Sequence, residues 1–176
     1  MYMIAALYHF TRLADPAALK GPLAKTACAH GVTGSLLLAP EGINGTIAGS
    51  GVGVAAVISH IRALPGCADL EWKESASPTP PFGKMKVRLK REIVTMGQPD
   101  IQPAEHAGIY VDPKDWNALI TDPDVLVVDT RNSYETAIGK FSDATDPQTK
   151  TFREFPAWAN QLADMPDAEK PKKIAM

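Results

Sequence analysis

Val32-Thr-Gly-Ser-Leu-Leu-Leu-Ala39-Pro-Glu-Gly-Ile-Asn44-Gly-Thr-Ile-Ala48 decides the fold of the first half of this chain. Residues 32–39 form a short apolar run, which predicts a strand. Pro40, Glu41, Gly42, Asn44 and Gly45 are turn chemistry, and 46–48 resume the pattern as a return strand. Working outward, residues 2–10 are apolar and fit a buried strand. Asp15 then Pro16 is an N-cap residue ahead of a proline at the first helical position. That helix is expected to run to about His30 and to stop at Gly31. Downstream, a second helix is expected at 52–64, a short strand at 69–74, a proline-containing loop at 75–83 and the last strand at 84–96. The order fits an α+β sandwich of the ferredoxin or acylphosphatase type.

The stretch 97–113 holds three prolines and two glycines, which is linker chemistry. The expected division is a domain at 1–97, a linker at 98–108 and a second domain at 109–176. In the second domain, 109–111 reads as a short strand, and Asp112 with Pro113 starts a helix reaching about Ile120. Val125-Leu-Val-Val128 is a β-branched run of the kind found in buried parallel strands. It leads into Asp129-Thr-Arg131, which places charge at the carboxyl end of a strand, where α/β sites form. Residues 133–138 suggest a short helix and 149–164 a longer one that Pro156 must begin or kink. Lys173-Ile-Ala-Met176 opens another strand. With about three strands, this α/β domain is expected to be incomplete.

Apolar residues make up 45% of the 176 and charged residues 22%, which is globular usage. No apolar run approaches the roughly 18 residues of a membrane helix, and the first ten residues do not read as a signal peptide. Two cysteines, Cys28 and Cys67, exclude a disulfide scaffold and a cysteine-rich zinc site, so a cytoplasmic location is expected. His9, His30, His60 and His106 have no metal-ligand spacing, and no metal site is expected. Charge is uneven: residues 1–93 carry a net +4 and residues 94–176 a net −6.

Two motifs in the first domain could carry chemistry. Gly51-Val-Gly53 at a helix start, with Glu71 about 20 residues on, is a near match to a dinucleotide fingerprint. No second nucleotide-binding half follows, and the alternative is glycines that ease the start of the helix. In Lys84-Met-Lys86-Val-Arg88-Leu-Lys90-Arg91, cations alternate with apolar residues. A period of two puts Lys84, Lys86, Arg88 and Lys90 on one face of a strand. Like charges in a row invite a polyanion, which makes these residues and Arg91 candidates for RNA contact. A solvated face or edge-strand protection by lysine is the alternative.

Val125-Leu-Val-Val-Asp129-Thr-Arg131-Asn-Ser-Tyr134-Glu135 resembles the Asp-x-Arg segment of rhodanese-like domains. Three longer stretches are similar to the bacterial rhodanese-like tRNA uridine hydroxylases. They run from Ala39 to Gly49, from Lys84 to Gly97 and from Asp146 to Trp158, in the family's order. The resemblance covers essentially the whole chain. It implies an acylphosphatase-like amino-terminal domain followed by a rhodanese-like domain, here incomplete. It also implies tRNA as partner and oxygen-dependent hydroxylation of the wobble uridine at ring carbon 5. Molecular oxygen is then a co-substrate, and no resident cofactor is assigned. In the family a strand like 173–176 runs into a Cys-Thr-Gly-Gly-Ile-Arg-Cys loop. The reactive cysteine is therefore expected beyond Met176, no catalytic residue is assigned within the chain, and these residues alone are expected to be inactive. Asp129, Arg131 and Glu135 match the domain signature; Asp129 and Arg131 are expected to hold the strand end, with substrate contact as the alternative. Cys28 and Cys67 are expected to be small buried or semi-buried residues. A rhodanese-type sulfurtransferase fragment and a non-catalytic RNA-binding module are the competing readings.

Overall fold

The computed structural model describes residues 1–98, 101 and 108–176. Most of the expected linker at 98–108, His106 included, lies outside the described residues. The chain divides into two compact units, built on Met1–Val94 and on Gly108–Met176.

The first unit runs β1 (Tyr2–Phe10), α1 (Pro16–Ala29), β2 (Thr33–Ala39), β3 (Gly42–Gly49), α2 (Gly51–Arg62), β4 (Trp72–Ser77) and β5 (Met85–Leu89). The strands form one sheet in the order β4-β1-β3-β2-β5, antiparallel except for the parallel pair β2 and β5. This is the expected α+β sandwich. The Asp15 carboxylate accepts the Ala18 amide at 3.0 Å and caps α1, and Gly31 takes φ 63 just past its end. Along α2, Val54, Val57, Ile58 and Ile61 are buried at helical spacing. They meet Leu23 and Ala27 of α1 and the sheet residues Ala5, Leu7, Leu36, Leu38, Ile43 and Ile47 in one core. Both helices thus cover the same face of the sheet.

Several boundaries differ from expectation: β4 runs on to Ser77, into the loop expected at 75–83, and α2 ends at Arg62, while three others have a local reason. β3 begins at Gly42 because Pro40 and Glu41 suffice for the turn; their carbonyls accept the amides of Leu13 at 2.9 Å and Thr11 at 3.0 Å. Gly42 has φ 146, and a Cβ there would lie 2.1 Å from the His9 carbonyl oxygen, so only glycine lets β1 approach. β4 starts at Trp72 because buried Cys67 and Leu70 first close a turn, with the Leu70 amide on the Cys67 carbonyl at 3.1 Å. β5 ends at Leu89 because the chain is then fastened back onto the β2–β3 hairpin. The Glu41 carboxylate accepts the Ile93 amide, and Asn44 Nδ2 donates to the Ile93 carbonyl at 2.9 Å.

The second unit contains α3 (Pro113–Ile120), β6 (Val125–Val127), α4 (Ser133–Thr136), a 3₁₀ turn at Phe152–Glu154, α5 (Phe155–Ala163) and β7 (Lys173–Ala175). β6 and β7 pair in parallel, and Val128 bridges Thr145. The strand expected at 109–111 does not form: Ile109 is 95% and Tyr110 88% exposed, and among the described residues no strand pairs with them. Among the described residues the second unit has two strands rather than three. The expected helix at 149–164 begins at Phe155, with Pro156 in its first turn, where a missing N–H costs nothing. Among the described residues, no helix is long and apolar enough to cross a membrane.

Candidate functional site

Val87 is buried and Met85 packs against the core, so the pleat of β5 sends Lys86 and Arg88 to the sheet face away from the helices. Lys84 and Lys90 flank the strand rather than belonging to it. Lys84, Lys86, Arg88, Lys90 and Arg91 are all exposed, and among the described residues none has an ion-pair partner. Leu89 is 46% exposed, so the clean alternation of apolar and charged sides fades at the end of β5. The structure brings Lys84, Lys86 and Arg88 together around a cleft of about 570 Å³, with Ser35 and Phe82 also in its wall. Lys90 and Arg91 do not line it.

Sheet register places further residues beside these cations. Lys86 stands level with Ser35, Thr46, Ala6 and Lys73 across all five strands. Arg88 stands level with Leu37, Asn44 and Tyr8. Lys73 and Ser35 were not foreseen, because only strand pairing unites them with β5; Phe82, two residues before Lys84, was passed over because it falls in the expected loop at 75–83. For Tyr8 a signal existed: it alternates with Leu7 in an apolar strand, so one of the two must face outward.

The glycine motif at the start of α2 has a structural explanation. Ser50 Oγ accepts the Gly53 amide at 3.1 Å, and a Cβ on Gly53 would lie 2.6 Å from the His30 carbonyl oxygen. The motif therefore lets α2 press against the end of α1. His9 and His60 are engaged at 2.7 Å with the Gly66 carbonyl and the Thr26 hydroxyl respectively. Among the described residues no metal-ligating cluster occurs. Cys67 is buried, which pushes its thiol up from the usual range, whereas Cys28 is exposed, contrary to expectation. Cys28 sits near the end of α1, on its uncovered side.

In the second unit the carboxyl end of β6 opens into a cavity of about 550 Å³. Its walls include Trp116, Val128, Asp129, Arg131, Phe141 and Met176. Asp129 and Arg131 form a forked pair, with Nε to Oδ1 at 2.9 Å and Nη2 to Oδ2 at 2.6 Å. Arg131 Nη2 also donates to the Gly139 carbonyl at 2.7 Å, which ties the loop to the strand end. The Asp129 side chain is only 9% exposed. The hydrogen bonds from Arg131 hold its carboxyl below the usual carboxylate range, and Asp129 in turn raises the guanidinium. Glu135 does not touch this pair's carboxylate. It accepts the Asn132 amide at 3.2 Å and Asn132 Nδ2 at 3.1 Å, bracing the first turn of α4. Thr136, behind it, is buried and donates to Asp146 at 2.9 Å.

Comparison with known proteins adds the following. A tRNA uridine(34) hydroxylase of Caulobacter vibrioides is 58% identical over 99% of this chain and 56% of its own length. Proteins of the same name from Roseobacter denitrificans and Ruegeria pomeroyi are 63% and 66% identical, each over 90% of this chain and 53% and 52% of their own lengths. The chain thus spans about half the length of the curated relatives it matches. The profile of the UPF0176 acylphosphatase-like domain matches residues 2–93, the stretch that folds into the five-stranded unit. On that match the chain belongs to the UPF0176 acylphosphatase-like domain family.

Proposed function

We propose that this chain is part of a cytoplasmic tRNA-modifying enzyme that hydroxylates the wobble uridine at carbon 5, with molecular oxygen as co-substrate. The observation that carries the reading is the unpaired cationic strand, Lys84 to Arg91, in a chain 58% identical across nearly its whole length to a tRNA uridine(34) hydroxylase. Five exposed cations without carboxylate partners among the described residues keep their full attraction for phosphate, because no internal ion pair must be broken first. Lys84, Lys86, Arg88 and Lys90 are assigned to tRNA phosphates, with Arg91 beside them. The second unit is read as rhodanese-like. Its cavity lies at the carboxyl end of a parallel strand, the usual position of an α/β site, and the Asp129–Arg131 fork fixes the loop on its rim. Both groups are committed to each other, so their role is to position the loop rather than to move a proton.

The test is genetic and chemical. The gene encoding this chain is deleted, total tRNA is digested to nucleosides, and 5-hydroxyuridine and its derivatives are measured by mass spectrometry. Their loss is expected. Unchanged 5-hydroxyuridine with depleted thiouridine would assign sulfur transfer instead, and no change in either would reject the enzyme reading.

A further inference from the structure

We propose that the sheet face opposite the helices binds a single-stranded RNA segment, with one base stacked on Tyr8 and the neighbouring phosphates held by the β5 cations. The proposal rests on the tRNA reading above and extends it from charge to base contact.

Tyr8 is 60% exposed although it lies in the middle of a sheet, next to β3 on one side and near β4 on the other. Its row partner is Asn44, and its neighbour two residues back is Ala6, so little side-chain bulk stands over the ring. Phe10 meets the ring edge-on, with centroids 6.2 Å apart and planes at 72°, which holds the ring in one orientation. A fixed, exposed ring on a sheet is a stacking platform, and stacking accepts any base because every base has a π-face.

Charge on the same face selects an anionic partner. Lys86 and Arg88 project from β5 at one edge, and Lys73 shares a row with Lys86 from β4 at the other edge. The strands contain one acidic residue, Glu74, and it pairs with buried Ala5, which puts it on the helix-covered side. No outward strand position therefore carries a carboxylate. Between the edges lie the hydroxyls of Ser35 and Thr46, level with Lys86 and Lys73. Among the described residues neither hydroxyl makes a side-chain hydrogen bond, so both can turn to ribose or phosphate oxygens. Tyr8 and Arg88 occupy one row, separated by three strand spacings, roughly 14 Å. A paired duplex keeps its bases stacked inside, where Tyr8 cannot reach them; only unpaired nucleotides satisfy ring and cations together.

The experiment uses the 176-residue chain and fluorescence anisotropy with two probes, a labelled oligouridylate of about ten nucleotides and an RNA duplex of similar length. Tyr8→Ala should weaken oligouridylate binding about 5- to 150-fold, the range for one lost stack, with the salt slope unchanged. Tyr8→Phe should bind like the parent, and neither change should alter duplex binding. Lys86→Gln with Arg88→Gln should instead flatten the slope by about 1.4, at roughly 0.7 per single-strand phosphate contact. If that pair flattens the slope while Tyr8→Ala changes affinity less than twofold, stacking is rejected and the phosphate reading stands. If Tyr8→Ala weakens binding and the slope ignores the cations, stacking stands and the phosphate reading falls. No binding of oligouridylate by the parent chain rejects both. Crosslinking with an oligonucleotide carrying 5-iodouridine gives a readout independent of affinity: adducts are expected on Tyr8, and adducts confined to the helix-covered side overturn the proposal.

Discussion

In the unit built on Met1–Val94, α2 buries Val54, Val57, Ile58 and Ile61 against a five-stranded sheet. In the unit built on Gly108–Met176, neither α3 nor α5 buries a single residue, although both are apolar along one side. The buried apolar residues there are Val127, Val128, Ala144 and Ala175, all small or β-branched. The contrast lies in what each helix has to pack against. Five paired strands present a surface wide enough for two helices, whereas two strands of three residues each do not. The charges differ in the same direction. Lys114, Arg131, Lys170, Lys172 and Lys173 of the second unit each reach a carboxylate, whereas among the described residues the cations of β5 reach none. Five cations of the second unit are thus committed to carboxylates, whereas those of β5 stand in solvent.

The sharpest way to break this comparison is hydrogen exchange on the 176-residue chain. Amides of β1, β2, β3 and α2 should be protected by orders of magnitude over those of α3 and α5. Equal protection in both units would show that the second closes a core of its own. A protein of residues 1–97 should correspondingly unfold in one cooperative step.

Core deletions should reproduce the contrast in energy. Leu36→Ala removes a fully buried side chain from the first unit and should cost about 2–5 kcal/mol in a urea titration. Leu119→Ala in α3, a half-buried position, should cost less than about 1 kcal/mol. A larger cost at Leu119 would place it in a core.

Binding should separate the two sets of cations. Replacing Lys84, Lys86, Arg88 and Lys90 with glutamine should lower the salt slope of tRNA binding by roughly 0.7–0.9 per residue. Replacing Lys114, Lys170 and Lys172, which are paired with Asp112, Asp167 and Asp124, should leave it nearly unchanged. Similar slopes for both variants would erase the distinction between spent and offered charge.

The smallest effect concerns the Asp129–Arg131 fork. Asp129 has a depressed folded pKa, so its contribution to stability is fully present above the unfolded value of about 3.9. It is lost as pH falls through the lower folded value. Trp116 lines the same cavity, so its fluorescence should report loosening of the second unit in that acid window. Asp129→Asn should remove the window while the first unit stays intact. An unchanged acid transition in that variant would mean that the fork contributes nothing to holding the loop.

Much of the first unit was legible because its signals are local. Asp15 and Pro16 start α1, Gly31 ends it, and the apolar runs at 2–10 and 32–39 each became a strand with bounds within a residue. The end of β5 was illegible because the groups that set it, Glu41 and Asn44, act on Ile93 from about 50 residues away. The false strand at 109–111 shows the converse: β-branched and aromatic residues favour a ladder only where another strand offers one. For the candidate interface, alternation exposed the cations of β5, but Lys73, Ser35 and Tyr8 joined them only through register. That pairing is a property of the sheet, not of any window of sequence.

The parallel pairing of β5 with β2 also has a consequence for synthesis on the ribosome. Leu38 pairs with Leu89, so the outer edge of β2 waits for a partner until about 50 further residues have been made. At about 5–20 residues per second, that is roughly 3–10 s during which a strand with the apolar run Leu36-Leu37-Leu38 has an open side. Slow codons between α2 and β5 would prolong the wait. The nascent chain is therefore most vulnerable to sticking to its neighbours just before Lys84 emerges, and the charged strand that closes the sheet is also the one that ends the hazard.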